Sequence, residues 1–155
     1  MISQELLDSI KQKFPDIEVE VTPVKMLIMR VDKDQLVKVT NHLKKDKSLD
    51  FDYLSCLSGL DYLDNFELVY QLYSYSKGHH LVLKTAVPRE NPEVQSVTSI
   101  WATADWFERE VYDLYGVIFQ GHPNLKRLLL ADDFPGHPMR KEFPCESLED
   151  YLLEV

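Results

Sequence analysis

The chain has 155 residues, 45% of them hydrophobic, with a formal net charge of −9 and a pI near 5.0. That length and apolar content suffice for one globular domain with a substantial core. The acidic balance opposes nucleic-acid binding, which rests on phosphate neutralisation by Lys and Arg, and disfavours direct attachment to an anionic membrane.

The first residues carry no apolar run flanked by basic residues ahead of a small-residue cleavage site, and no apolar stretch reaches the roughly 18 residues of a membrane span. The expectation is a soluble, intracellular chain. With only Cys56 and Cys145, it is expected to lack a disulfide, and two isolated cysteines cannot by themselves hold an iron–sulfur cluster or a structural zinc.

In chain order, Ser3 through Phe14 places Leu6, Leu7, Ile10 and Phe14 at helical spacing and stops at Pro15. Ile17, Val19 and Val21 alternate with Glu18 and Glu20 as in a strand with one wet face, and Lys25 to Val31 reads as its hairpin partner. Asp32 is placed to cap a helix that turns Leu36, Val39, Thr40 and Leu43 inward and fades into Lys44-Lys45-Asp46-Lys47. Phe51 to Leu60 reads as a third strand, with Gly59 and Asp61 marking its exit. Phe66 to Tyr75 and His80 to Val87 are joined by Ser76-Lys77-Gly78-His79, a hairpin signal. After Pro88 to Pro92 the pattern predicts a helix around Val94 to Trp101, a bend at Ala102 to Ala104, and a further helix from Asp105. Helices and strands in this order predict an α+β fold. It is a two-layer sandwich, a mostly antiparallel mixed sheet with helices on one face, plus an extended C-terminal arm. Residues 1–118 are expected to form the globular domain and 119–155 the partner-binding arm and tail.

The densest stretch runs from Asp105 to Pro144. Asp105 and Glu108 are spaced like a capping box, and Gly116 sits where a left-handed residue closes a helix. At about 100° per residue, Phe107, Val111 and Leu114 share the inward stripe, with Trp106 and Glu110 on its flank. Glu110 is therefore expected to border the core and pair with a base. Arg109 and Asp113 are expected on the solvent side as an i,i+4 pair.

Beyond Gly116, prolines at 123, 135, 138 and 144 interrupt any long element. A structureless run of nearly thirty residues is too long for an ordinary loop. Phe119, Leu125, Leu128, Leu129, Leu130, Phe134, Met139 and Phe143 nevertheless argue against plain disorder. A partner surface is where they are expected to go, with Arg140, Lys141 and Phe143 beyond the reach of the domain's own sheet. Charge points the same way. Lys126, Arg127, Arg140 and Lys141 against Asp132, Asp133 and Glu142 leave residues 117–144 at +1 and the remainder of the chain at −10.

Two Gly-His-Pro units raise a metal site built on His122, His137, Asp132 and Asp133. No HxxxH, HExxH or CxxC spacing accompanies them. A Gly free in φ with Pro locking the chain two residues later makes a rigid bend, its imidazole held by a carbonyl or carboxylate. Glu108 and Glu110 point about 200° apart on a helix, so they cannot share a substrate in acid–base work. Neither a phosphate-binding glycine loop nor a nucleophile elbow is present. The residues alone describe a folded domain with an arm and no catalytic set.

Glu108-Arg109-Glu110, Tyr112 through Val117, Gly121 through Leu129, Asp132-Asp133-Phe134 and Gly136 through Lys141 together resemble the signature of a known family. It is the 30 kDa subunit of respiratory complex I, in bacteria the C subunit of the NADH:quinone oxidoreductase. The likeness extends more loosely through Phe66 to Tyr75, Lys84 to Pro88 and Asn91 to Trp101.

That resemblance implies a non-catalytic structural and assembly subunit of the complex's hydrophilic arm. Its expected partners are the larger quinone-site subunit and the terminal iron–sulfur subunit, and it would be peripheral to the cytoplasmic side of the cell membrane through the complex. It implies no cofactor in this chain, with NADH, FMN, iron–sulfur clusters and quinone held elsewhere in the assembly. It also places Glu108, Arg109, Glu110, Asp113, Gly116, His122, Pro123, Lys126, Arg127, Leu128, Asp132, Asp133, Gly136, His137, Pro138, Arg140 and Lys141 at the partner interface. Two other readings stay open. One is the equivalent subunit of a related membrane-bound hydrogenase or ferredoxin-type dehydrogenase; the other is a small independent metal-dependent enzyme.

Overall fold

The computed structural model describes residues 4–23 and 26–144. Among them are the helices α1 (Gln4–Lys13), α2 (Leu36–Lys45) and α3 (Ala104–Tyr115). The strands are β1 (Glu18–Val21), β2 (Leu27–Arg30), β3 (Tyr53–Asp61), β4 (Asn65–Ser74), β5 (His79–Pro88), β6 (Glu93–Gln95) and β7 (Ile118–Gln120). Five strands make one sheet in the order β1-β2-β5-β4-β3, and β6 pairs with β7 in a separate parallel ribbon. Only β2 and β5 run parallel within the large sheet, so it is the mostly antiparallel mixed sheet expected from the element order.

The β4–β5 hairpin is the spine. Its ladder runs unbroken from Asn65 opposite Pro88 to Ser74 opposite His79, and Gly78 closes the turn at φ +66. Period-two alternation sends Phe66, Leu68, Tyr70 and Leu72 of β4, and Leu81, Leu83 and Val87 of β5, to one buried face. Leu6 and Ile10 of α1, Leu36, Val39 and Leu43 of α2, and Ala104, Val111 and Tyr115 of α3 join them in one core cluster. The helical layer thus covers one side of the sheet, while Ser58, Gln71, His80 and Ala86 on the other stay exposed.

Four local expectations are corrected. The segment around Val94 to Trp101 is not a helix but β6 followed by a turn. Its buried Val94, Val97, Ile100 and Trp101 mimic helical spacing, yet the backbone at 93–95 is taken by β7, a pairing across more than twenty positions that local pattern cannot show. Asp32 does not cap α2, which starts after Gln35; its carboxylate accepts the N–H of Asp34 at 2.9 Å in the preceding turn. Asp105 lies inside α3, whose cap is Thr103, and Thr103 donates to the Leu54 carbonyl at 3.2 Å instead of to its own helix. Gly59 does not end β3. A Cβ there would lie 2.9 Å from Cδ2 of Tyr115, so the glycine makes room for the α3 ring to lie on the strand.

Candidate functional site

From Gly121 to Pro144 the chain has no regular element, yet it is bound along α3 from the first helical turn to the last. At the first turn, the His122 Nε2 proton is donated to the Asp105 carbonyl at 3.1 Å, while Nδ1 accepts the Asn124 N–H at 3.0 Å. Both nitrogens are thereby used and the tautomer is set. At the second turn, Arg109 Nε and Nη2 donate to the carbonyls of Lys126 and Arg127, each at 3.2 Å, and its guanidinium stacks over Trp106.

Asp113 anchors the middle. Its Oδ2 accepts three successive backbone N–H groups, Leu128 at 3.0 Å, Leu129 at 2.7 Å and Leu130 at 2.9 Å, and Oδ1 accepts Arg127 Nη1 at 2.9 Å. Burial alone would push this carboxyl up, but the three N–H donors and the guanidinium outweigh it and hold it below the usual carboxylate range. Arg127 also donates to the carbonyls of Phe134 and Gly136, closing the strap's own loop.

The last turn of α3 shows why the second Gly-His-Pro unit belongs here. A helix leaves its final four carbonyls without partners. That of Tyr112 is capped by the N–H of Gly116 at 2.8 Å, with Gly116 left-handed at φ +73 as its position predicts. The other three are taken by the strap: Asp113 by His137 Nδ1 at 2.8 Å, Leu114 by the N–H of Met139 at 3.1 Å, and Tyr115 by Arg140 Nε at 2.7 Å. A Cβ on Gly116 would come within 2.6 Å of the His137 ring, so that glycine keeps the approach open. Arg140 also sets positive charge at the negative end of the helix dipole.

The strap's end is tied to the sheet by a group that local sequence does not reveal. Asp61, at the end of β3, accepts a two-pronged bond from Arg89 and the backbone N–H of Lys141 at 2.9 Å, and Arg89 reaches Glu142 as well. The bond from Arg89, then burial working against it, then the N–H groups of Lys141 and Leu63 leave the Asp61 carboxyl well below its ordinary range. The only sequence cue is a lone Asp at a strand exit, eighty positions from its partner.

The helix is therefore rotated from the expected orientation. Arg109 and Asp113 are buried, not a solvated pair, because the strap covers them. Glu108 is not an end-cap. Fully buried on the sheet side, it accepts the Ser96 hydroxyl at 2.6 Å and the Val97 N–H at 2.7 Å, and burial raises its carboxyl to about 7 despite those bonds. Glu110 is half-buried and forms no ion pair with any described residue. Arg140, Lys141 and Phe143 lie within the domain's reach after all, since Arg140 meets α3, Lys141 meets Asp61, and Phe143 stacks on the buried Phe134 with ring centres 5.9 Å apart. Pro123, Lys126, Asp132, Asp133, Gly136 and Lys141 are on the surface, and Leu128 and Pro138 are half-buried. Leu129 and Met139 remain 62% and 52% exposed. Among the described residues no three His, Cys, Asp or Glu side chains converge as metal ligands would.

Fold and site together define an α+β domain whose strap, residues 121–144, is built into the end of α3 and displays apolar side chains outward. Residues 29–149 match the family described as "Respiratory-chain NADH dehydrogenase, 30 Kd subunit". Relatives include the NADH-quinone oxidoreductase C subunit of Salinispora tropica, 40% identical over 90% of this chain and 60% of the relative. Its counterpart in Chloroherpeton thalassium is 37% identical with the same coverage, so the chain spans about three-fifths of the length of these two. The F(420)H(2) dehydrogenase C subunit of Methanosarcina mazei is 41% identical over 92% of both chains. Among solved structures, a trypsin-resistant fragment of Nqo5 superposes with a TM-score of 0.69 at 30% identity, covering 79% of this chain and 98% of that one. A chain of the membrane-bound sulfane sulfur reductase, an archaeal respiratory membrane complex, reaches a TM-score of 0.84 at 25% identity, covering 98% and 91%. The chain belongs to the 30 kDa subunit family of the respiratory-chain NADH dehydrogenase.

Proposed function

We propose that this chain is a non-catalytic structural and assembly subunit of the hydrophilic arm of a proton-translocating NADH:quinone oxidoreductase. It docks through the strap on the larger quinone-site subunit, beside the terminal iron–sulfur subunit. In this reading NADH, FMN, iron–sulfur clusters and quinone are held by the other subunits, and electron transfer is the work of the assembly. No helix among the described residues is long and apolar enough to cross a membrane, and the proposed attachment to the cytoplasmic face is through the complex.

The observation that carries this reading is the strap's two-sidedness. Its backbone is held inward by Arg109, Asp113 and the end of α3, while Leu129 and Met139 face out. A rigid backbone presenting apolar side chains binds with little ordering cost, which favours an interface. Co-expression of the full chain with the larger subunit is expected to recover both on one tag. The double variant Leu129→Ser, Met139→Ser is expected to lose the larger subunit while keeping the parent's thermal midpoint; undiminished recovery would count against docking through the strap.

A second reading has its own support. The F(420)H(2) dehydrogenase relative and the sulfane sulfur reductase neighbour align along nearly the whole chain. Their names describe complexes with other electron partners, so this chain would equally serve as the corresponding subunit of such an assembly. Identification of the subunits that co-purify with the tagged chain from its native membrane fraction separates the two.

A further inference from the structure

Between β3 and β4 the chain turns through Tyr62-Leu63-Asp64 without a glycine, and Leu63 takes φ +70. Left-handed backbone at a bulky, Cβ-bearing residue is disfavoured, and Gly or Asn would adopt it far more readily. The conformation is nonetheless held from several sides. The Leu63 N–H donates to Asp61 Oδ1 at 2.8 Å and the Tyr62 N–H to the Asn65 carbonyl at 3.0 Å. Asp61 is itself clamped by Arg89 and Lys141. What this support displays is two large apolar side chains in the open, Tyr62 at 53% and Leu63 at 59% exposure, neither of them packed on the core cluster. A strained turn that adds nothing to the core points to a use outside the fold.

We propose that Tyr62 and Leu63 form an apolar plug that seats in a basic-rimmed pocket of the protein on which the strap docks. This rests on the docking reading above. Two observations choose the occupant. The first is continuity: Lys141 bonds Asp61 at 2.9 Å and Arg89 bonds both Asp61 and Glu142, so the hairpin tip and the strap's end form one surface. The second is charge. Asp64, exposed at the tip, has no ion-pair partner among the described residues, which calls for a basic group at the rim of the receiving pocket. Two copies of this chain meeting tip to tip would instead set Asp64 against Asp64.

The test uses the full chain co-expressed with the larger subunit and compares Leu63→Asn with the strap variant Leu129→Ser. Asn accepts the left-handed backbone, so Leu63→Asn is expected to keep or raise the thermal midpoint of the isolated chain. Recovery of the larger subunit is expected to drop about tenfold, the loss of one well-seated anchor. Asp64→Lys is expected to lower recovery as well. If Leu63→Asn binds like the parent while Leu129→Ser does not, the plug is overturned and docking through the strap stands. If only Leu63→Asn loses the partner, docking through the strap falls and the shared surface proposed here falls with it; if neither variant loses the partner, both fall. A lowered thermal midpoint in Leu63→Asn would make Leu63 a residue of the fold and overturn the plug. So would recovery of the isolated parent chain as a dimer that Leu63→Asn dissociates.

Discussion

The β4–β5 hairpin and the strap after Gly121 are both ordered, by opposite means. The hairpin distributes its stability over a ten-residue ladder and alternating apolar side chains, so each position carries a modest share. The strap has no ladder. It is held where a few polar side chains grip main-chain groups, with one carboxylate taking four donors and three helix-end carbonyls taking three more. Order of the second kind is concentrated, and a single substitution can release a whole segment.

The sharpest way to break the contrast is Asp113→Ala. It leaves the N–H groups of 128–130 and the Arg127 guanidinium without their acceptor, and is expected to cost about 3–5 kcal/mol, the range for stripping one partner from a buried charged network. Hydrogen exchange should show protection lost at 128–130 and retained in β4 and β5. Loss of protection in the hairpin as well would mean that the two regions are one cooperative unit.

Glu108 tests the joint between α3 and β6. With its carboxyl held at about 7 in the fold against 4.5 ordinarily, the folded chain binds a proton that the unfolded chain does not between those values. Its contribution to stability is complete below pH 4.5 and is lost as pH rises through about 7, on the order of 3 kcal/mol over the window. Asp61 and Asp113, held low, act in the opposite sense but in more acidic solution. Chemical denaturation between pH 5 and pH 8 should show this decline in the parent and its absence in Glu108→Gln; an equal slope in both assigns it to other groups.

On the sheet side, Gly59→Ala forces a methyl group against the Tyr115 ring and should cost about 1–3 kcal/mol, as overpacking does, measurable as a fall in denaturant midpoint. The smallest effect is expected at Leu129→Ser, within about 0.5 kcal/mol, because the fold uses that residue's N–H and not its side chain. A large loss of stability there would show that the strap is packed like the hairpin after all.

Particular residues explain what the sequence makes legible. The strands at Phe66–Tyr75 and His80–Val87 are legible because their period-two pattern and turn residues are local, and Gly116 because a left-handed cap is a local need. The face of α3 is not. Arg109 and Asp113 look like a solvated pair to any rule that reads charge as exposure, and only the strap, up to eighteen positions further on, turns them inward. Glu108 is hidden for the same reason, since its donors, Ser96 and Val97, lie in a segment whose apolar spacing imitates a helix. The strap's family likeness is visible while its attachment is not, because hydrogen bonds to main-chain groups leave almost no mark in side-chain pattern.

The borrowed ending of α3 also sets an order of events during synthesis. Three of the carbonyls that close this helix wait for donors at His137, Met139 and Arg140, which leave the ribosome after the helix itself. Until they emerge, the last turn of α3 must use water or fray. The nascent chain therefore completes α3 only once residues 137–140 have emerged, and a chain cut before residue 137 is left with three helix-end carbonyls that have lost their donors.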